Sequence, residues 1–267
     1  DELEEHLKRM KGSMEYSEAL LADWGRVLFT DEEEAVKYAR VQFGALEYLG
    51  VDTVVTTLTG IGMNSPPAYW EVLEYFTKNG DVRIRNAAAV AMEELAAPAA
   101  RKAVVAALKK EKDPAIEKNW LRAAGACGRD DSGVRKLLVK SATREKDPAL
   151  RRNALIALGY LAPHKTVRAA LEDALGGDDE EDRLAAACAM ALTRDAAWLP
   201  LLEEAAAADA PRRADLAPAI AVLEGANLRR IAEVFGRVSG DESIRIRLFF
   251  GEVLPDDAGD EEGGSDG

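Results

Sequence analysis

Histidine and cysteine are scarce: the 267-residue chain holds two of each. His6 sits in a charged N-terminal segment and His164 follows Pro163. Neither has a second His or a Cys at metal-ligand spacing. Both read as surface histidines, and no metal or cofactor is expected. Aromatic residues make up only 6% of the chain. Strand-like runs are rare, and the best of them, residues 51–59, suits a helix equally well. This composition argues against a β-sandwich and for closely packed helices. The longest clean apolar run, residues 184–192, falls far short of the roughly 18–20 residues that span a bilayer. Neither a phosphate loop ending in Gly-Lys-Ser/Thr nor a Gly-x-Gly-x-x-Gly fingerprint is present.

Residues 1–5 are mostly acidic, unlike the start of a signal peptide. The first residue is not Met, however, so this observation carries little weight. Cys127 and Cys188 fall two repeats apart in the register set out below. That separation exceeds the about 7 Å between Cα atoms that a disulfide tolerates. Both thiols are expected to be free, buried and inert, which favours a reducing, cytoplasmic setting.

Internal repetition is the strongest signal present. Glu111-Lys112-Asp113-Pro114-Ala115 recurs intact as Glu145-Lys146-Asp147-Pro148-Ala149, a shift of 34 residues. The same shift carries Asn119 to Asn153, Ala123 to Ala157 and Gly125 to Gly159. Asp-Pro marks a helix start. Asp can cap free backbone N–H groups, and Pro suits the first turn, where its missing N–H is harmless. Apolar stripes at helical spacing follow each start: Ile116, Trp120, Leu121 and Ala124, then Leu150, Ala154, Leu155 and Leu158. A second helix completes each unit, through Val134, Leu137, Leu138 and Ser141, and through Val167, Ala170, Leu171 and Ala174. Two helices in about 34 residues cannot bury their apolar faces alone; stacking on neighbours does it.

Weaker copies flank this pair. Residues 81–86 open an earlier unit with 99–110 as its second helix. Residues 181–192 with 198–208, and 211–224 with 227–238, supply two more. Pro218 is expected to kink or restart its helix, with Asp215 as a cap. Residues 241–254 read as a closing half-unit. Residues 16–29 form an amphipathic helix suited to capping the N-terminal end of a stack. Residues 255–267 hold six acids and four glycines, the composition of a disordered tail.

The pattern Asp-Pro-x-x-(Arg/Lys)-x-x-Ala-x-x-Ala-Leu-Gly followed by a second amphipathic helix resembles HEAT repeats of the short bacterial type. The resemblance covers residues 81–254 clearly and 31–80 loosely. It implies an all-α fold, an α-solenoid formed as a right-handed superhelix of stacked helical hairpins. The organisation it implies is a capping region at 1–30, divergent repeats at 31–80, HEAT-like repeats at 81–254 and the acidic tail at 255–267.

Net charge is −13, but it divides sharply. Residues 101–168 carry 17 Lys+Arg against 7 Asp+Glu, and the remainder carries 18 against 41. The basic positions share the repeat: Arg101 with Arg135, Lys102 with Lys136, Lys110 with Arg144. Lys136, Lys140 and Arg144 also form one row of a helix face. HEAT-like second helices line the concave surface, as the resemblance implies. Together with Arg168 these residues are a candidate basic ladder for an acidic segment of a protein partner. The alternative is a solvated face whose long side chains cover apolar surface.

The function this favours is a non-catalytic scaffold or adaptor, not an enzyme. A nucleic-acid-binding HEAT-like protein is an alternative, against which the overall acidity and the absence of stacking aromatics argue. A HEAT-like lyase or other enzyme is another. HEAT-like deoxyhypusine hydroxylases bind iron through His-Glu pairs, and no His here is followed by Glu. HEAT-like alkylpurine DNA glycosylases set aromatics beside a carboxylate. Trp120 invites that comparison, but position 124 on the same face is Ala. The carboxylates at 178–182 belong at a helix start, where they complement the helix dipole.

Overall fold

The computed structural model describes residues 50–241. The helix at 16–29, the segment 31–49, the half-unit at 241–254 beyond its first residue and the acidic tail lie outside the described residues. Among the described residues the fold is all helical. Twelve α-helices pack with their sequence neighbours, as a helical repeat array does. They are α1 (Val51–Asn64), α2 (Trp70–Phe76), α3 (Val82–Leu95), α4 (Arg101–Leu108), α5 (Pro114–Cys127), α6 (Ser132–Arg144), α7 (Pro148–Leu158), α8 (Lys165–Gly176), α9 (Glu180–Thr193), α10 (Leu199–Ala206), α11 (Ala210–Leu223) and α12 (Ala232–Ser239). The ambiguous run at 51–59 is helical. No described helix is long and apolar enough to cross a membrane.

Aspartates start the first helix of successive hairpins. Asp81, Asp113, Asp147, Asp179 and Asp209 cap α3, α5, α7, α9 and α11, each accepting from a backbone N–H two or three residues on. The repeated pentapeptide has a physical explanation. Glu111 Oε1 accepts from the N–H groups of Lys112 and Asp113 at 3.0 and 3.2 Å, and Glu145 Oε1 accepts from Lys146 and Asp147 at 2.8 and 3.1 Å. Each linker is thus folded by two consecutive carboxylate caps, the Glu on the approach and the Asp at the helix start. His164 also caps a helix: its Nδ1 accepts from the N–H of Thr166 and opens α8.

The chain divides into two compact units, Asp1–Arg129 and Asp130–Gly267. In the first, α3 packs on α1 and α5, while α2 rests on α3 and α4 on α5. In the second, α9 packs on α7 and α11, and α6, α8 and α10 flank this row. The rows of first helices form the core. Residues 87–92 of α3, 119–127 of α5, 153–158 of α7 and 184–191 of α9 are buried without interruption. Such all-round burial requires neighbours on every side, and the abundant alanines let helix axes draw close. At the tightest crossings even Ala is too large. A Cβ on Gly62 would meet Ala91 Cα at 2.7 Å, and one on Gly159 would meet Ala189 O at 2.5 Å.

Gly60 and Gly62 lie inside α1. Two expectations need correction. α11 runs unbroken through Pro218 with Asp209 as its cap, so Asp215 does not restart it. The carbonyl that loses its partner belongs to Ala214, an exposed residue, so water can take the place of the missing N–H. Lastly, residues 227–238 do not form a simple second helix. A 3₁₀ turn, Leu228–Ile231, leads into α12, which packs on α9 and α7. Its stripe of Ile231, Phe235 and Val238 is buried, and Asn153 Nδ2 donates to the Ser239 carbonyl at 2.9 Å. Arg237 ties the same helix to Glu180 and Glu181 at 2.7 and 2.8 Å.

Candidate functional site

The cations of this molecule fall into two groups. Arginines of the first helices are spent on structure. At the fourth residue after the Asp cap, Arg85, Arg151 and Arg183 each donate back to a carbonyl six residues earlier, those of Asn79, Glu145 and Gly177. Two of them also reach the next hairpin. Arg85 forms a forked pair with Glu111 at 2.9 and 3.2 Å, and Arg151 bonds Asp182. Arg152 joins Asp179 and Asp182 at 3.3 Å. Deep in the first unit, Arg122 pairs with Glu93.

The cations of α6 have a different fate. On α6, Val134, Leu138 and Ala142 form the buried stripe, and α6 packs on α7. Lys136, Lys140 and Arg144 are exposed, and Arg135 is half-buried beside them. Lys136 and Lys140 each lie two residues from a stripe position, about 200° around the helix, and so point away from the core. Among the described residues no carboxylate lies within ion-pair distance of these four. In the first unit Lys102 on α4 and Lys110 just past it are exposed, and Arg101 is half-buried. Arg168 on α8 is differently employed: it pairs with Glu172 at 2.7 Å and lies over the Trp198 ring at 5.0 Å.

Lys110 also lines a cavity of about 510 Å³ in the first unit. The cavity opens where α2 and α4 end, beneath the turn that leads into α3. Ala103, Ala106 and Ala107 of α4 form an apolar wall, and Lys78, Lys110, Lys112 and Glu74 complete the lining with the Arg85–Glu111 pair. That pair is electrostatically closed. The hydrogen bond to Glu111 holds the Arg85 guanidinium above its ordinary value. Burial pushes the Glu111 carboxyl up, but the Arg85 hydrogen bond and the Asp113 and Lys112 N–H groups outweigh it, leaving the carboxyl below the usual carboxylate range.

Trp120 is fully buried in α5, and Ala124 is fully buried with it. The indole face is therefore not offered to a base. Sequence reasoning missed the cavity: Lys78, Lys112 and Lys146 do recur at the 34-residue spacing, but a periodic spacing of lysines does not show that Lys78 and Lys112 line one opening with Lys110. No protein-family model matches the chain, and no curated protein matches it.

Proposed function

We propose that the chain is a HEAT-like α-solenoid acting as a non-catalytic scaffold or adaptor, and that it holds a protein partner through an acidic segment of that partner. The observation that carries this reading is the division of cations. On the first helices Arg85, Arg122, Arg151 and Arg152 are paired with internal carboxylates, whereas Arg135, Lys136, Lys140 and Arg144 on α6 have no carboxylate at ion-pair distance among the described residues. In a chain of net charge −13, a row of uncompensated cations is a local exception that an acidic partner would complement. The same overall charge opposes a polyphosphate backbone, and the burial of Trp120 removes a stacking platform.

The test is affinity capture from native lysate with the intact chain beside an Arg135→Glu, Lys136→Glu, Lys140→Glu variant of unchanged helicity. A partner that carries an acidic segment, binds the intact chain and is lost with the variant is the expected result. Capture of the same partners by both proteins would reduce this row to a solvated face.

A further inference from the structure

We infer that the cavity between the ends of α2 and α4 is a docking pocket for an acidic peptide segment, with carboxylates held by Lys78, Lys110 and Lys112 and aliphatic stems laid on the alanine wall. The inference rests on the scaffold reading above and adds a site to it. The polar accounting of the cavity supports it. Lysines near helix ends ordinarily serve the last carbonyls, yet here four of those carbonyls already have backbone partners. Glu74 O accepts from Thr77 N and Oγ1, Phe76 O from Asn79 N, Val105 O from Lys109 N, and Ala107 O from both Lys110 N and Glu111 N. The Asn79 and Gly80 carbonyls take Arg85, and both Glu111 oxygens are engaged by Arg85 and the linker N–H groups.

With those groups satisfied, three exposed ammonium groups face one exposed carboxylate, Glu74, around the opening. None of the three lysines has an ion-pair partner among the described residues. The cavity has the size of ordinary ligand pockets, about 300–1,000 Å³. Its wall is apolar where α4 presents only alanines. Flexible lysines on a methyl-lined wall suit carboxylates on short aliphatic stems. A compact oligophosphate would leave the wall unused and would gain more from backbone N–H donors, which here are turned into the linker caps.

The test is fluorescence anisotropy with the full chain and a fluorescein-labelled peptide of alternating Glu and Ala, using a Gln/Ala peptide as the neutral control. Lys110→Glu with Lys112→Glu should weaken binding at least about tenfold, as loss of two complementary charges does. Ala106→Trp, which fills the pocket without changing charge, should weaken it comparably. Binding that withstands Ala106→Trp would reduce the lysines to surface charge and overturn the pocket. Binding lost only in the α6 triple variant would overturn the pocket and leave the scaffold reading standing, whereas binding in neither form would remove both. Displacement by tripolyphosphate at lower concentration than by unlabelled peptide would overturn the peptide as occupant.

Discussion

Arg122 on α5 sends its Nε to both carboxylate oxygens of Glu93 on α3, at 3.0 and 3.1 Å, with side-chain exposures of 0% and 3%. This is an ion pair between adjacent first helices at a depth where neither charge can turn to water. Removing one partner strands the other. Arg122→Met or Glu93→Leu should each cost about 3–5 kcal/mol, and the double replacement should recover much of that loss. Urea unfolding of the two single variants and the double variant provides the cycle. Additive losses would mean that the two side chains do not act as a pair.

The two glycines Gly159 and Gly60 should respond in opposite ways to the same change. Gly159→Ala drives a methyl to 2.8 Å from Ala189 Cα, a backbone atom that cannot step aside. A loss of about 1–3 kcal/mol is expected from such overpacking. Gly60 lies inside α1 with nothing within 4 Å of a built Cβ. Gly60→Ala should therefore stabilise by about 0.5–1 kcal/mol through reduced freedom of the unfolded chain. Thermal melts of both variants check the sign of each.

Acid should weaken the fold through the linker carboxylates. Burial raises Glu111, but Arg85 and the two N–H donors outweigh it. Asp179 is held low first by the Asp182 N–H, against burial, with Arg152 and Arg151 adding to the effect. Both carboxyls have folded-state values below their unfolded ones. Their contribution is complete above the unfolded value, about pH 4, and disappears as pH falls through the folded values. The urea midpoint should therefore drop on acidification below about pH 4. In Glu111→Gln with Asp179→Asn that drop should be shallower; an unchanged slope would show that neither carboxyl contributes.

Both thiols should stay silent in the folded chain. Burial, with the nearby Glu93 charge, pushes Cys127 up to about 12, and complete burial pushes Cys188 upward as well. The Cys127 thiol donates to the Met92 carbonyl at 3.4 Å. Since the thiolate is the reactive form, a disulfide reagent at neutral pH should label neither cysteine until urea unfolds the protein. Fast labelling of either cysteine in the native state would mean that its surroundings open.

Much of the helical order was legible because its determinants are local. An aspartate cap acts on N–H groups two or three residues away, and an apolar stripe repeats within one helix. This is why the starts at Asp113 and Asp147 could be read directly. The arginine pairs were not legible, since Arg85 meets Glu111 across 26 residues and Arg151 meets Asp182 across 31. A regular basic register does not reveal which cations are already consumed. Arg168 belonged to the candidate ladder by charge, yet Glu172 and Trp198 occupy it. The cavity was hidden for a related reason: it joins the end of one hairpin to the end of the next, and the 34-residue spacing of Lys78 and Lys112 does not by itself bring them to one opening.

The sequence alone determined that this protein is helical, where most of its described helices begin, and that neighbouring helices must stack, because capping and amphipathic spacing are properties of short segments. Tertiary structure alone decided which charges are neutralised, which glycines cannot take a methyl group, and that α12 packs on α7 and α9. Those outcomes depend on distances between groups tens of residues apart, and such distances exist only once the helices have packed.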